Sequence, residues 1–126
     1  MAAGVGFRRG APCGEILAAV RQACEAAGVA VAALGALATA DFKSDESGVH
    51  DAAGTLGVPL VACPREDLDR VSDRILTRSH AVAAAVGVSS VAEAAALVAA
   101  GRNARLLGPR VAAGTATCAL ASGDGP

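Results

Sequence analysis

Short apolar segments alternate with amphipathic helical patterns along the first half of the chain, and no other feature of the sequence restricts the possible folds as strongly. The apolar segments end near residues 7, 40 and 63, and helical patterns follow the first two at 12–28 and 44–57. Strands that alternate with helices imply right-handed crossovers and a largely parallel sheet with helices on both faces. The chain is therefore predicted to be an α/β protein, a three-layer α/β/α sandwich around a mainly parallel sheet.

Cap residues support these boundaries. Pro12 suits the first turn of a helix, and Gly28 suits the position just after its end. Ser44 is predicted to be the N-cap of the second helix, with Asp45 and Glu46 in its first turn, where the helix dipole favours negative charge. The charged segment around residue 44 thus has a structural explanation before any functional one.

The second half of the chain continues with further helical patterns. The charged segment 65–78 is weakly helical and is predicted to lie on the surface. Ser79 is predicted to open a short alanine-rich helix that ends at Gly87. The capping-box pattern "SVAE", at 90–93, is predicted to open another helix that ends at Gly101.

The last two apolar segments, 104–108 and 114–121, are predicted to be strands of a C-terminal β-hairpin, joined by the residues between them. This hairpin makes the sheet mixed. The chain length suits one domain, which is predicted to span 1–121. The glycine-rich residues 122–126 are predicted to be a flexible tail.

The composition limits both the packing and the function. Alanine supplies 33 of the 126 residues, and the chain has two phenylalanines but no tryptophan or tyrosine. Because alanine buries little surface, the helices must pack closely against something flat, as a sheet is. The formal net charge of -1 and the scarcity of aromatic residues argue against nucleic acid as a partner.

The cysteines are scattered, with no Cys-x-x-Cys pair and no Cys/His cluster at zinc-ligand spacing. Free buried thiols are therefore predicted, with no metal site and no cofactor. No segment has the pattern of a signal peptide or the unbroken apolar length of a membrane span. A cytoplasmic protein without a membrane partner is expected. The cysteines are Cys13, Cys24, Cys63 and Cys118.

Charged residues cluster directly after the first two predicted strands. Arg8 and Arg9 follow the first strand, and Asp41 and Lys43 follow the second. Because the carboxyl ends of parallel strands share one edge of a sheet, these side chains are expected to gather where ligands usually bind. Arginines beside a helix N-terminus suit carboxylate or phosphate ligands. The alternative is a helix cap with a local ion pair, next to a solvated turn.

Other polar or glycine-rich features carry weaker signals. Gly4 and Gly6 begin a GxGxxG dinucleotide pattern, but Arg9 stands where its third glycine is required. Glycines that allow close strand–helix packing are the alternative interpretation. His50 and His80 are isolated from each other and are expected to lie on the surface.

Six segments occur in an order that is more informative than any one of them. They are "GVGFRRG", "ATADFKSDESG", "LGVPL", "VGVSSVAEAAAL", "ARLLGPR" and "GTATCALA". Together they resemble the CobE family, which is similar to the C-terminal domain of CbiG. The resemblance extends from about Gly4 to Ala121 and therefore covers nearly the whole chain.

The resemblance implies a three-layer α/β domain of cobalamin biosynthesis that acts on, or carries, corrin-ring precursors at the stage of ring contraction and loss of a two-carbon unit. The longer CbiG proteins open a lactone and release acetaldehyde, and this chain is of the short kind. Arg110 stands where lysine is commoner in the family, and His80 stands where an acidic residue is commoner. The family pattern marks Gly4, Gly6, Arg8, Gly10, Asp41, Lys43, Glu46, Ser79, Gly87, Ser90, Val91, Glu93, Gly114 and Thr117.

A precorrin is a broad ring fringed by acetate and propionate carboxylates, so its site needs spaced cations around an apolar floor. Arg8, Arg9, Lys43 and Arg110 are the candidate cations, and the small residues around Gly4 and Gly6 are the candidate floor. Arg8, Lys43 and Asp41 are expected to line one cleft. The complete set of candidate ligand-binding residues is Gly4, Gly6, Arg8, Arg9, Gly10, Asp41, Lys43, Ser79, Ser90, Glu93 and Arg110.

Three functions compete at this stage. The leading one is an accessory protein that binds or carries a precorrin or corrinoid without doing chemistry. The second is a hydrolase that opens a lactone or releases the two-carbon unit, with Asp41 or Glu46 as general base. The third is a scaffold that binds other enzymes of the pathway and no tetrapyrrole.

Overall fold

A computed structural model describes residues 1–71, 74 and 91–125. Within these residues six strands form one sheet, and four α-helices pack on it. The strands are β1 (Ala2–Phe7), β2 (Ala36–Ala40), β3 (Leu60–Cys63), β4 (Arg105–Leu106), β5 (Val111–Ala113) and β6 (Ala116–Ser122). The helices are α1 (Cys13–Ala27), α2 (Ser47–Leu56), α3 (Arg65–Arg70) and α4 (Val91–Ala100), with 3-10 turns at Val31–Ala33 and Asp41–Lys43.

The sheet is mixed, as predicted. Its order is β3-β2-β1-β6-β4, and β1, β2 and β3 are parallel neighbours. Strand β6 runs antiparallel to β1, and both β4 and β5 pair antiparallel with β6. All strands except β6 therefore run in the same direction, and their carboxyl ends lie at the same edge.

The C-terminal hairpin is present, but its first strand differs from the predicted one. Strand β5 belongs to the segment that was predicted to be only a connection, and it pairs with the start of β6. The predicted strand 104–108 is reduced to β4, which pairs with the end of β6. Pro109 lies between the two short strands and has no N–H to donate to a ladder, which is consistent with an interrupted edge strand.

Helices cover both faces of the sheet, which confirms the three layers. Ala3 and Val5 of β1 face α1 and α2 and belong to the larger apolar cluster. Ala2, the neighbour on the opposite face, packs instead with Ala96 and Leu97 of α4. The alternation of side chains along a strand is what allows one short apolar segment to contact both layers.

Helix α4 lies very close to β1, and glycine makes this possible. A β-carbon at Gly4 would overlap the carbonyl oxygen of Ala92 and the backbone nitrogen of Ala96. Ala92 and Ala96 are themselves almost fully buried. The expectation that alanine-rich helices pack tightly against the sheet is confirmed at this contact.

The start of α2 differs from the prediction. Its N-cap is Glu46, not Ser44, and its first turn contains no acidic residue. The chain forms a 3-10 turn first, and Ser44 is used there: its backbone N–H and its hydroxyl both donate to the Asp41 carbonyl oxygen, at 3.2 and 2.8 Å. A serine committed to the preceding turn cannot cap the following helix.

The segment predicted to be a flexible tail, 122–126, is attached to the fold as far as the structure describes it. The Asp124 N–H donates to the Arg102 carbonyl oxygen at 2.8 Å, and the Gly125 N–H donates to the Ala100 carbonyl oxygen at 2.9 Å. These bonds tie the end of the chain to the turn after α4. Composition alone suggested a tail because glycine-rich ends usually lack such partners.

Candidate functional site

The loops after β1 and β2 leave the sheet at the same edge, as strand polarity predicts. Between these loops and the start of α2 lies an open cavity of about 540 Å³. We call it the edge cleft. It is lined by Arg9, Gly10, Phe42, Lys43, Asp45, Glu46 and Ser47.

Glu46 links the two sides of the edge cleft through its carboxylate. Its Oε1 atom accepts a hydrogen bond from the backbone N–H of Gly10 at 2.7 Å. Its Oε2 atom lies 3.8 Å from Nζ of Lys43. Since Glu46 precedes α2 directly, its carboxylate connects the β1 loop, the 3-10 turn and the helix start.

Lys43 is held in position from a second side. Its Nζ atom lies 5.4 Å from the centre of the Phe7 ring, within the range of a cation–π contact. Its side chain is only 25% exposed, although it carries a charge. An ammonium group has three N–H donors, so contact with Glu46 and Phe7 leaves donor capacity for a ligand.

Arg9 is the other cation of the edge cleft. Its side chain is exposed, and no carboxylate in the described part of the chain forms an ion pair with it. Arg8 differs: its backbone N–H donates to the Thr115 carbonyl oxygen at 3.0 Å, and its exposed side chain is not among the lining groups. The structure thus places Arg9 and Lys43 in the lining of one cleft and leaves Arg8 out of it.

Asp41 also lies beside the edge cleft and does not line it. Its carboxylate is near the end of β3, where it affects a thiol. Burial raises the pKa of Cys63 to about 11, and the negative charges of Asp67 and Asp41 add to this rise. The predicted trio of Arg8, Lys43 and Asp41 is therefore not brought together in the cleft, because only Lys43 lines it.

Three of the predicted residues lie at the contact between β1 and α4. Gly4 is buried beneath the helix. Gly6 is half-buried, and its carbonyl oxygen accepts a hydrogen bond from the Thr117 hydroxyl at 3.3 Å. Glu93 is fully buried in the first turn of α4. These positions support the alternative interpretation of the glycines, in which they allow close strand–helix packing.

Arg110 is separated from the edge cleft. It lines a cavity of about 240 Å³ between the interrupted edge strand and the second half of α1, together with Ala23 and Pro109. Ser79, Ser90, Gly87 and His80 lie outside the described residues, so their predicted roles stay predictions. His50 is exposed on α2, as expected.

Phe42, Asp45 and Ser47 line the edge cleft but were not among the predicted site residues. Phe42 is 62% exposed. A signal for it was available in the sequence, because an aromatic side chain is rare in this chain and this one lies within the charged segment. Ser47 had no such signal, since a serine beside a helix start is usually a capping candidate.

The turn before β6 holds the start of the first helix in place. Oε1 of Glu15, near the start of α1, accepts hydrogen bonds from the backbone N–H and the hydroxyl of Thr115 at 2.8 and 3.0 Å. A β-carbon at Gly114 would overlap this carboxylate. Gly114 also has a φ of 59°, so the family marking coincides with a position whose backbone favours glycine.

The sequence matches a known protein family over nearly its whole length. A family model described as Cobalamin synthesis G C-terminus matches residues 1–121. The chain belongs to this family. As a member of the cobalamin synthesis G C-terminus family, it is a cobalamin biosynthesis protein, which confirms the pathway that the ordered motifs implied.

Relatives of this cobalamin synthesis G C-terminus protein share both sequence and fold. Protein CobE of Sinorhizobium sp. is 36% identical over 118 residues, which cover 94% of this chain and 77% of the relative. A crystal structure of CobE, from the cobalamin (vitamin B12) biosynthetic pathway, superposes with a TM-score of 0.86 at 36% identity, covering 95% of this chain and 87% of that one. The cobalamin biosynthesis protein chiG from Agrobacterium tumefaciens superposes with a TM-score of 0.76 at 42% identity, covering 98% of both chains.

The described residues were searched for metal-binding groups and for membrane-spanning helices. Among them, no group of three or more His, Cys, Asp or Glu side chains is arranged to hold a metal ion. In the same part of the chain, no helix is both long enough and apolar enough to cross a membrane.

Proposed function

We propose that the edge cleft binds a precorrin or corrinoid intermediate, around the stage of ring contraction and two-carbon loss, and that the protein carries this intermediate without catalysing a reaction. The observation that carries the proposal is the pair of cations in the cleft. Arg9 has no ion-pair partner among the described residues, and Lys43, which lines the same cleft, is held by Glu46 and the Phe7 ring. Ring carboxylates are the natural partners of such a pair.

The size and openness of the cleft fit this role. Its volume of about 540 Å³ lies within the range of small-molecule sites. It is large enough for one side of a macrocycle, so the rest of a bound ring would stay accessible. An accessible ring suits transfer to another protein, because the receiving protein can contact the part of the ring that the cleft leaves uncovered.

The hydrolase alternative has less support from the geometry. It requires Asp41 or Glu46 as general base, and a base must lie within hydrogen-bond reach of the water that it activates. The carboxylate of Glu46 is held by Gly10 and Lys43, and Asp41 does not line the cleft. The scaffold alternative, in which other pathway enzymes are the partners, does not need the two cations.

One titration separates the three functions. The purified protein is titrated with cobyrinic acid, a corrin whose peripheral side chains are free carboxylic acids, and with isolated precorrins. Released acetate and acetaldehyde are assayed in the same samples. Saturable binding without release is the expected result. Release would favour the hydrolase, and the absence of binding to any of these rings would favour the scaffold.

A further inference from the structure

Phe42 has an unusual environment for a large apolar side chain. It is 62% exposed, whereas the other exposed large apolar side chains among the described residues, Met1 and Val31, are each 37% exposed. The ring lines the edge cleft, as the two cations do. A phenyl ring exposed to this extent leaves favourable burial unused, so it is available for contact with an apolar ligand surface.

The aromatic residues of this chain are concentrated at one place. The sequence contains two phenylalanines and no tryptophan or tyrosine. Phe7 ends β1 and contacts Lys43 with its ring, and Phe42 follows β2 at the same edge of the sheet. One phenylalanine therefore lines the edge cleft, and the other contacts a cation that lines it.

The turn that carries Phe42 is well braced. The Ser44 hydroxyl donates to the Asp41 carbonyl oxygen at 2.8 Å, and the Glu46 N–H donates to the Lys43 carbonyl oxygen at 3.2 Å. The exposed ring is thus presented by a hydrogen-bonded turn. A group held in place before binding loses less entropy when a ligand contacts it.

We propose that Phe42 is the contact for the flat apolar face of the bound ring. This inference rests on the proposed function and adds a specificity-determining residue to it. Arg9 and Lys43 recognise the peripheral carboxylates, which many small polycarboxylic acids also possess. Phe42 recognises the ring face, which those acids lack, so the cleft distinguishes a macrocycle from other carboxylates by two separate contacts.

The test compares two Phe42 variants with the parent protein in titrations with cobyrinic acid at low and at high salt. Phe42→Ala is expected to lower the affinity by about tenfold, and Phe42→Leu by about threefold, because leucine keeps apolar area but offers no aromatic face. These factors are expected to be the same at both salt concentrations. Arg9→Gln is expected to lower the affinity at low salt and to have a smaller effect at high salt.

Val31→Ala is the matched control, because Val31 is also an exposed apolar residue in a 3-10 turn but lies before β2, away from the cleft. It is expected to bind as the parent does. If Phe42→Ala binds as tightly as the parent, or if its loss shrinks with salt as that of Arg9→Gln does, the ring-face contact is refuted while the proposed function stands. If the parent binds neither cobyrinic acid nor any of the isolated precorrins, the proposed function itself fails, and the inference fails with it.

Discussion

At the scale of single residues, glycine and cysteine positions record how tightly this small-residue core is packed. Gly4 has no room for a side chain, because α4 lies directly on β1 there. Gly54, in α2, is exposed and has no heavy atom within 4 Å of the place where a β-carbon would be. The same substitution should therefore have opposite effects at the two positions.

We expect Gly4→Ala to lower the free energy of unfolding by about 1–3 kcal/mol or more, because the new methyl group must displace the backbone of α4. Gly54→Ala is expected to raise it by about 0.5–1 kcal/mol, since alanine is the better helix former. Urea unfolding monitored by circular dichroism measures both values. Equal stability of the two variants would show that α4 does not approach β1 as closely as described.

Buried thiols make stability depend on alkaline pH. Burial raises the pKa values of Cys24, Cys63 and Cys118 above their ordinary value, that of Cys63 to about 11. A pKa that is higher in the folded state than in the unfolded state favours folding while the thiol stays protonated. The contribution of the Cys63 thiol to the free energy of unfolding is therefore complete below about pH 9 and is lost as the pH rises towards about 11.

We expect the free energy of unfolding to fall over this pH interval, and to fall less steeply in Cys63→Ala. Some slope should remain in the variant, because the thiols of Cys24 and Cys118 are shifted in the same direction. Urea unfolding at a series of pH values gives the comparison. Identical slopes for parent and variant would mean that the Cys63 thiol has an ordinary pKa in the folded protein.

At the scale of elements, the sequence predicts the helices and parallel strands well where apolar periodicity and glycine agree. Helix α1 begins after Pro12 and ends before Gly28, whose φ of 69° places it in the left-handed region that favours glycine. The start of α2 was not predictable in the same way. Ser44 has the composition of an N-cap, but the competing 3-10 turn takes its hydroxyl.

Strand β5 was missed for a related reason. Its three residues are too few to show an alternating pattern, and Pro109 just before them reads as a turn. Its pairing with β6 depends on a neighbour that the local sequence does not reveal. Tertiary context decides such short elements.

The link between the β1 loop and α2 gives an element-scale prediction. Glu46→Ala removes the acceptor for the Gly10 N–H, so hydrogen exchange at this amide should become about five- to tenfold faster, the equivalent of about 1 kcal/mol. Glu46→Gln keeps an oxygen that can accept this bond. The Gly10 amide is therefore expected to exchange much more slowly in this variant than in the alanine variant. Amide exchange measured by NMR tests this. Unchanged protection of the Gly10 amide in Glu46→Ala would show that the Glu46 carboxylate does not accept this hydrogen bond.

At the scale of the whole molecule, strand polarity was enough to predict where the site lies but not which side chains form it. Parallel β1 and β2 had to bring the two charged loops to one edge. The sequence could not predict that Arg9 lines the cleft and Arg8 does not. This difference depends on the hydrogen bond between the Arg8 N–H and Thr115, a residue more than a hundred positions away. Arg110 was expected to join the cations, but the interrupted edge strand carries it to a separate cavity.

Arg9 and Lys43 of the edge cleft are proposed to bind the carboxylates of a corrin. Calorimetric titration of cobyrinic acid into Arg9→Gln and Lys43→Gln at low salt tests this proposal. Arg8→Gln and Arg102→Gln serve as controls, since both arginines are exposed and neither lines the cleft. Each cleft substitution removes a charge-assisted contact worth about 1.5–3 kcal/mol, so the affinity should fall about ten- to a hundredfold, with much smaller losses in the controls. Cleft variants that bind as tightly as the parent, or controls that lose as much affinity as they do, would contradict the account.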